Sequence, residues 1–312
     1  MTSAFSRVLA LVRDLAGAGL DEAERRFLPE DAPGPGAVRA TWFGTAAVLL
    51  DDGSTRLLLD PFVTRPGMLR VGLGLPLRPD GVGVERWLDR LGARGAAAVL
   101  VSHSHYDHLL DAATFARKAD AVLIGSESTA NAGRGAGLPD DRIRVAVPRE
   151  PMRFGDFEVT FLPGEHGAAP FGRVPYPGSI PIPLALPAPA RAFRMGGAHA
   201  ILVRHPAGAL VHVGSAAARA DTFAGVAAHT VLLGLGGRAS TEALLGDVVD
   251  PVGARRVVPI HWDDMFRALV RSVRPLPTVD LAGFFREVAR VRPGLEVATL
   301  PVGRPRTLFA AP

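Results

Sequence analysis

The sequence predicts an α/β fold of layered β-sheets, and three observations support this class. Short β-rich runs cluster after residue 38, strands then alternate with helices, and polar residues recur where strands end. Functional sites in layered α/β proteins collect at such strand ends. With 312 residues, of which 48% are hydrophobic, the chain is long enough to bury a substantial core.

Three strands are predicted to open the folded domain, over residues 38–43, 46–50 and 56–59. Gly44 separates the first two, and the sequence Asp-Asp-Gly-Ser at 51–54 has the composition of a hairpin turn between the second and third. A loop rich in Gly, Pro and Arg is expected to follow.

Beyond this loop, which we place at residues 63–83, strands and helices alternate. The predicted helices are 84–91, 109–118 and 241–249, with a short helical turn at 128–131. The predicted strands are 96–101, 121–125, 143–147, 157–162, 200–204, 209–213, 230–233 and 256–260. Such alternation is typical of sheets covered by helices.

A dense cluster of metal-binding residue types follows the strand at 96–101. Residues 101–108 read Val-Ser-His-Ser-His-Tyr-Asp-His, so three of the nine histidines lie within six positions. Alternation along an extended segment points His103 and His105 to the same side, where both can reach one ion. Asp107 and His108 fall where the chain turns and could face a second ion. Zinc favours imidazole and carboxylate ligands, so we predict a metal site.

Composition excludes several classes of protein. The chain has no cysteine, so disulfides, iron–sulfur ligation and a thiol nucleophile are excluded, and any metal must be held by His, Asp or Glu. The isoelectric point near 10.4 accompanies a net charge of only +4. Lys118 is the sole lysine, and the arginines are scattered without a basic stripe. We therefore expect a small-molecule substrate and no nucleic-acid partner.

The first 36 residues are predicted to form an amphipathic helix, 1–28, and a Pro/Gly linker ahead of a single catalytic domain, 37–312. Packing of this helix on the domain or on a second copy in a homo-oligomer is favoured over a membrane surface. No secretory signal and no apolar stretch of spanning length is evident at the start, and we expect a cytoplasmic protein.

The motif at 103–108, with His166 about sixty residues later and His261 after a strand, resembles the metallo-β-lactamase fold superfamily. The opening Thr-Trp-Phe-Gly-Thr-Ala-Ala-Val-Leu at 41–49 and Leu-Leu-Asp-Pro at 58–61 are similar to its branch of ascorbate-6-phosphate lactonases and N-acylphosphatidylethanolamine phospholipase D enzymes. The resemblance spans about residues 38 to 265. It implies a four-layer αββα sandwich of two mixed sheets with the metals in a cleft at one edge.

The resemblance also implies two metal sites. His103, His105 and His166 would hold one ion, and Asp107, His108 and His261 would hold the other. Zinc is expected at one or both sites, with Mn²⁺ or Fe²⁺ as alternatives. Three protein ligands leave a position open for water, and two ions sharing a hydroxide lower its pKa towards neutrality. Proton delivery to the leaving group would pass to Asp107 or to the pair Asp263 and Asp264 that follows His261.

One residue departs from the pattern of most two-metal relatives. Ser215 stands where a carboxylate that bridges the ions is expected, which predicts a weaker second site. Acyl hydrolysis depends less on a tight metal pair than phosphoryl transfer does, so Ser215 favours esters, lactones or amides. Residues that could support the ligands from behind are Asp60, Ser215, His212, Tyr106 and Asp263. For Asp263, the capping of a helix from residue 265 is the preferred interpretation.

The segment 168–189 is Pro-rich and apolar, follows His166 directly and cannot be a helix. A loop of this length is usually a lid or binding loop, although a structural cover or dimer contact is equally compatible. The resemblance implies a lactonase-like metallohydrolase, and the loop adds the expectation of an apolar or acyl-bearing substrate. A phosphodiesterase resembling phospholipase D and a metal-binding relative without turnover are the alternatives.

Overall fold

The computed structural model describes residues 19–30, 34–168, 173–217, 220–269 and 273–311. Within these residues two seven-stranded sheets form, in the orders β14-β1-β2-β3-β4-β5-β6 and β13-β12-β11-β10-β9-β8-β7. The strands are β1 Val38–Trp42, β2 Val48–Asp51, β3 Arg56–Leu59, β4 Ala98–Leu100, β5 Val122–Gly125, β6 Ile143–Val145, β7 Pro151–Phe154, β8 Phe157–Gly164, β9 Ala198–His205, β10 Gly208–Val213, β11 Thr230–Gly234, β12 Arg256–Ile260, β13 Glu296–Val297 and β14 Arg306–Phe309.

Both sheets are mixed in the same manner. β14, β1, β2 and β3 pair antiparallel, whereas β3 to β6 pair parallel. In the second sheet β7 to β10 are antiparallel and β10 to β13 are parallel. The parallel halves need crossover connections, and the helices that flank the sheets lie in these connections.

The helices of the described residues are mostly short. They are α1 over 19–25, α2 Met68–Gly72, α3 Gly81–Leu91, α4 Tyr106–Leu109, α5 Ala112–Ala119, α6 Glu127–Gly135, α7 Thr241–Leu244, continued by a π turn Leu245–Val249, and α8 Leu281–Val291. None of them, in the part of the chain that the structure describes, has the length and apolarity to cross a bilayer. The expectation of an uninterrupted loop over 63–83 was wrong, because α2 and the start of α3 lie there. Asp80 caps α3 by accepting from the amides of Val82 and Gly83.

Alternation along the strands of the first sheet separates two apolar cores. In β3, Leu57 and Leu59 point into the core shared with the second sheet, whereas Leu58 points into the core under the helices. Both cores are closed by aromatic side chains, such as Phe161 between the sheets and Phe115 of α5. The resulting layers are helix, sheet, sheet and helix.

The predicted N-terminal helix is described only from residue 19. Its end packs on the domain: Ala23 and Leu28 are buried in the core between the sheets, and the Leu28 amide donates to the Thr299 carbonyl at 3.0 Å. The helix prediction for residues 1–18 and part of the linker at 31–33 lie outside the described residues. The division at residue 36 stays a prediction.

Candidate metal centre

Ends of five strands converge at one edge of the two sheets, and each carries polar side chains. β3 is followed by Asp60, β4 by the motif 102–108, β8 by His166, β10 by Ser215 and β12 by His261. Parallel strands end at a common edge, which is why residues from 60 to 261 can meet there. The six predicted ligands fall into two groups whose candidate ligand atoms lie within 4.8 Å of one another.

The three-histidine cluster consists of His103, His105 and His166. Their ring centroids are 4.6 to 4.8 Å apart, and His105 Nδ1 lies 3.1 Å from His166 Nε2. His105 donates from Nε2 to the carbonyl of Pro175 at 2.8 Å, and His166 donates from Nδ1 to the carbonyl of Gly167 at 2.7 Å. A carbonyl can only accept, so each ring carries its proton on the outer nitrogen. Two lone pairs therefore face each other across 3.1 Å.

The tautomer of His103 is set in the same way by Ser102. The Ser102 hydroxyl gives its hydrogen to Asp60 Oδ2 at 2.5 Å, so its oxygen accepts from His103 Nδ1 at 3.1 Å. The other nitrogen, Nε2, is buried and has no hydrogen-bond partner. A buried nitrogen left unpaired costs free energy unless a cation or donor meets it. The three lone pairs converge on one position and fit a metal ion.

Electrostatics keep this cluster uncharged. Burial lowers the pKa of His103 well below its usual range, and the neighbouring imidazoles lower it further. Burial also lowers the pKa of His105, and burial together with His105 lowers the pKa of His166 to about 4. All three rings are neutral near pH 7, which is the form that binds metals.

The carboxylate cluster consists of Asp107, His108 and His261. His261 Nε2 lies 3.1 Å and His108 Nε2 3.6 Å from Asp107 Oδ2. Burial alone would raise the pKa of Asp107, but the charge of His108 and the hydrogen bond from His261 outweigh it and hold the pKa well below its usual range. This group could also hold a cation, although the carboxylate of Asp107 already pairs with the imidazoles of His108 and His261.

Asp60 supports both clusters from below. It is fully buried, accepts from the Ser102 amide at 2.7 Å and the Ser102 hydroxyl, and lies 2.8 Å from His108 Nδ1. Burial would lower the pKa of His108, but the charges of Asp60 and Asp107 outweigh it and raise the pKa. The pKa of Asp60 is correspondingly lowered by His108 in spite of its burial. Asp60 thus fixes which nitrogen of His108 faces the site.

His212, Tyr106 and Ser215 have different surroundings. His212 is fully buried, 2.9 Å from the carbonyl oxygen of Ala46 and 3.9 Å from Asp60 Oδ2. Tyr106 packs edge-on against Phe62 within the apolar core, and burial raises the pKa of its hydroxyl. Ser215 accepts from the Gly167 amide at 3.3 Å and therefore holds the loop next to His166.

Asp263 requires a correction. The structure has turns rather than a helix over 265–269, so Asp263 caps no helix there. Its carboxylate accepts from the Thr45 amide at 2.7 Å and pairs with Arg65 at 2.6 Å, both side chains being at most 2% exposed. Arg65 also donates to the carbonyls of Asp264 and Arg267 at 3.2 Å. In a helix these carbonyl oxygens would accept hydrogen bonds from backbone amides instead.

This ion pair reaches His261 through the backbone. The His261 amide donates to the Thr45 carbonyl at 2.7 Å, and Thr45, Arg65 and His261 all have left-handed backbones, with φ of 50°, 45° and 52°. Such conformations cost on the order of 1 kcal/mol each in non-glycine residues and persist only where the surroundings enforce them. Ser102, Arg65 and Thr45 were not identified from the sequence. Ser102, adjacent to the histidine motif, and Thr45, within the motif at 41–49, carried a signal, and Arg65 carried none.

The Pro-rich segment forms a wall beside the three-histidine cluster. Its described part, 173–189, continues to residue 194 and lines an open cavity of about 740 Å³ whose apolar side chains include Ile180, Ile182 and Leu184. The Tyr176 ring, which also lines it, is 6.3 Å from the ring of His105. The wall is tied down at Ile180, whose carbonyl accepts from Asn131 at 2.8 Å and whose amide donates to Ser128 at 2.9 Å.

Comparison with known proteins agrees with this architecture. Residues 40–193 match the family model described as the metallo-beta-lactamase superfamily. A UPF0173 metal-dependent hydrolase of Heliobacterium modesticaldum is 32% identical over 123 residues, which are 39% of this chain and 44% of the relative. The chain spans about half the length of the curated relatives it matches.

Two solved structures extend the likeness to most of the chain. Igni18, a metallo hydrolase from the archaeon Ignicoccus hospitalis, has a TM-score of 0.55 at 16% identity, covering 86% of this chain and 97% of its own. An isothiocyanate hydrolase from Delia radicum gut bacteria has a TM-score of 0.56 at 17% identity, covering 87% and 100%. At these identities the likeness shows the fold, and it confirms the predicted sandwich.

Proposed function

Because residues 40–193 belong to the metallo-β-lactamase superfamily and the described chain has its fold, we propose that the protein is a metal-dependent hydrolase. Its substrate in this proposal is an ester, lactone or amide that bears an apolar or acyl group. The observation that carries the metal dependence is the pair of imidazole lone pairs facing each other at 3.1 Å, with the unpaired Nε2 of His103 beside them.

In this proposal His103, His105 and His166 hold the tighter ion, and Asp107, His108 and His261 hold a weaker one. Zinc is the expected ion, with Mn²⁺ or Fe²⁺ as alternatives. A bound zinc ion would supply a hydroxide nucleophile at neutral pH and polarise the substrate oxygen. Three protein ligands for each ion leave room for water and substrate. Ser215 in place of a bridging carboxylate accounts for the weaker second ion.

The chain's own residues orient the ligands and move protons. Asp60 and Ser102 hold the protons of His108 and His103 on the nitrogens that point away from the site. Asp107 is ionised near neutral pH, because its pKa is low, and can accept a proton from the attacking water and return it to the leaving group. Asp263 cannot share this role, since its carboxylate is committed to Arg65.

The wall of the cavity supports the substrate class. Ile182 and half-buried Leu184 offer apolar surface for an acyl chain, and Tyr176 both lines the cavity and lies 6.3 Å from the ring of His105. Arg191 and Arg194 at the rim can meet an anionic group. Hydrolysis of an isothiocyanate, the reaction named for one protein of similar fold, is attack of water on carbon, as in the acyl hydrolysis proposed here.

The test combines metal analysis with a panel of chromogenic esters, lactones, β-lactams and bis-nitrophenyl phosphate. We expect at least one bound zinc per chain and turnover of an acyl substrate that is lost in His103→Ala. The matched control is His229→Gln, an exposed histidine directly before β11, at the strand end opposite to the carboxyl ends that carry the site. Turnover confined to the phosphodiester would refute the acyl assignment, and full turnover by His103→Ala would refute the metal mechanism.

A further inference from the structure

A second feature of the molecule lies beside the cavity and is not needed for hydrolysis. Helix α2, Met68–Gly72, has no fully buried residue and packs half-buried Val71 against the core under the helices, although a helix in a folded protein normally buries an apolar face. Met68 and Leu69 are 56% and 80% exposed, and Leu73 and Leu75 that follow are 72% and 44% exposed. Four large apolar side chains therefore stand in solvent within eight residues.

The Pro-rich wall adds to this surface. Ile182 is 69% exposed, and the wall is joined to the α2 segment by two backbone hydrogen bonds between Leu77 and Ala188, of 2.8 and 3.0 Å. A Cβ placed on Gly74 would come within 2.8 Å of an Arg191 guanidinium nitrogen, so the two segments are in close contact. We call the surface of residues 68–78 and 173–194 the apolar–arginine face.

The charge of this face has one sign. Neither 61–79 nor 173–197 contains an acidic residue, and the exposed acids Asp80 and Glu85 line a cavity at the edge of the face together with Arg70 and Arg78. The two segments of the face contribute five exposed arginines: Arg70, Arg78, Arg173, Arg191 and Arg194. Among the described residues, Arg70 and Arg194 donate to the backbone carbonyls of Pro76 and Pro177 and pair with no carboxylate. Exposed leucines surrounded by arginines that outnumber the acids at the edge of the face are the composition of a surface that enters the headgroup region of an anionic bilayer.

We propose that the apolar–arginine face docks on anionic phospholipid membranes, with Leu69 and Leu73 inserted and the arginines at headgroup level. A second copy of the chain is the less favourable occupant. In a two-fold dimer the same face meets itself, which would set arginines against arginines without acids in the face itself to compensate them. The proposal goes beyond the hydrolase function and can fail independently of it. If both hold, the cavity beside the three-histidine cluster opens towards the lipid.

The test is cosedimentation of the full chain with vesicles. We expect binding to vesicles of equal parts phosphatidylcholine and phosphatidylglycerol, and at least tenfold weaker binding to phosphatidylcholine alone. Leu69→Gln/Leu73→Gln should lower binding at least tenfold, because two inserted apolar side chains are lost. Removing positive charge with Arg70→Gln/Arg191→Gln should lower it about fivefold for each arginine.

Matched controls use exposed residues elsewhere. Val145→Gln/Val147→Gln alters side chains that are 38% and 56% exposed at the edge strand β6 and just after it, and Arg153→Gln/Arg290→Gln removes two arginines whose side chains are 82% and 70% exposed. The apolar control should leave binding unchanged, and the charge control should change it less than twofold.

Three outcomes would overturn the proposal. They are no binding to anionic vesicles, equal binding by the Leu69/Leu73 variant and wild type, and a wild type that is dimeric in solution while this variant is monomeric. Turnover of a water-soluble substrate by the same variant should equal that of wild type, which separates a failure of docking from a failure of the hydrolase assignment. Circular dichroism checks that each variant is folded.

Discussion

The two clusters of the candidate metal centre lie side by side but differ in the charge of their buried groups. The three-histidine cluster contains only neutral nitrogens, whose lone pairs face one another and leave His103 Nε2 unpaired. The carboxylate cluster contains Asp107, which already pairs with His108 and His261. We infer that a bound cation stabilises the first cluster more than the second, because the charged groups of the second already pair with one another.

The clusters also differ in how they are supported. In the first cluster, His103 and His166 are oriented by their sequence neighbours Ser102 and Gly167, whereas His105 donates to the distant carbonyl of Pro175. His261 of the second cluster depends on Thr45 and on the distant pair of Arg65 and Asp263. Substitutions far away in the chain should therefore disturb His261 more than His103, because His261 is held by contacts among three separate segments.

The largest expected effect comes from His103→Ala. Zinc affinity of the tighter site, measured by calorimetric titration of chelator-treated protein, should fall by more than the roughly 100-fold typical for loss of an outer partner, because a ligand itself is removed. Asp107→Ala should leave this tighter site unchanged and weaken only the second. An equal loss of zinc affinity at the tighter site in both variants would show that the two clusters act as one site, contrary to the distinction between them.

The next effect concerns the support of His261. Arg65→Met leaves the Asp263 carboxylate buried without its partner, and the free energy of unfolding should fall by about 3–5 kcal/mol. Urea denaturation measures this change. The control is Arg56→Met, since Arg56 is part-exposed and lies 3.6 Å from Asp51, and it should cost less than about 1 kcal/mol. A small loss for Arg65→Met would mean that the second cluster does not depend on the remote pair.

Acid should destabilise the metal-free protein through the first cluster. The pKa of His166 is about 4 in the folded protein and near 6.5 when unperturbed, so the unfolded chain binds more protons between these values. The free energy of unfolding should therefore fall as the pH falls from 6.5 to 4, by at most about 3 kcal/mol from this residue. Urea titrations of chelator-treated protein at a series of pH values measure it.

The variant His166→Gln should show a flatter pH dependence of the free energy of unfolding than wild type. His108 acts in the opposite direction, because its pKa is raised: its contribution is present below pH 6.5 and is lost as the pH rises through the folded pKa. A wild-type slope in His166→Gln would contradict the assignment of acid sensitivity to the three-histidine cluster.

The smallest effect is expected for Asp60→Asn. The amide cannot offer both oxygens to Ser102 and His108, so both clusters lose orientation, and metal affinity should fall about 10- to 100-fold. The ratio of the two losses sharpens the comparison, because Asp60 contacts His108 directly and His103 only through Ser102. Asp140→Asn is the control, since this side chain is 83% exposed and pairs with Arg134 on the surface, and no change in affinity is expected.

Much of the fold was predictable because it follows from local patterns. Alternating apolar runs gave most of the strands, and the turn residues at 51–54 gave the hairpin between β2 and β3. α2 was missed because its residues carry no apolar periodicity directed at a core, and all of them are exposed or half-exposed. The helix expected from residue 265 was wrong because Arg65, distant in sequence, takes the carbonyl oxygens there.

The sequence by itself determined the chemistry available at the centre: imidazoles and carboxylates at strand ends, without any thiol. Strand alternation predicted the pairing of His103 with His105, but both residues lie in the bend between β4 and α4, where the period of a strand does not apply. Only the tertiary structure decided which nitrogen of each ring faces the site, that Asp263 serves Thr45 and Arg65, and that leucines and arginines share one exposed face. Those features depend on contacts between segments far apart in the chain, and no local periodicity encodes them.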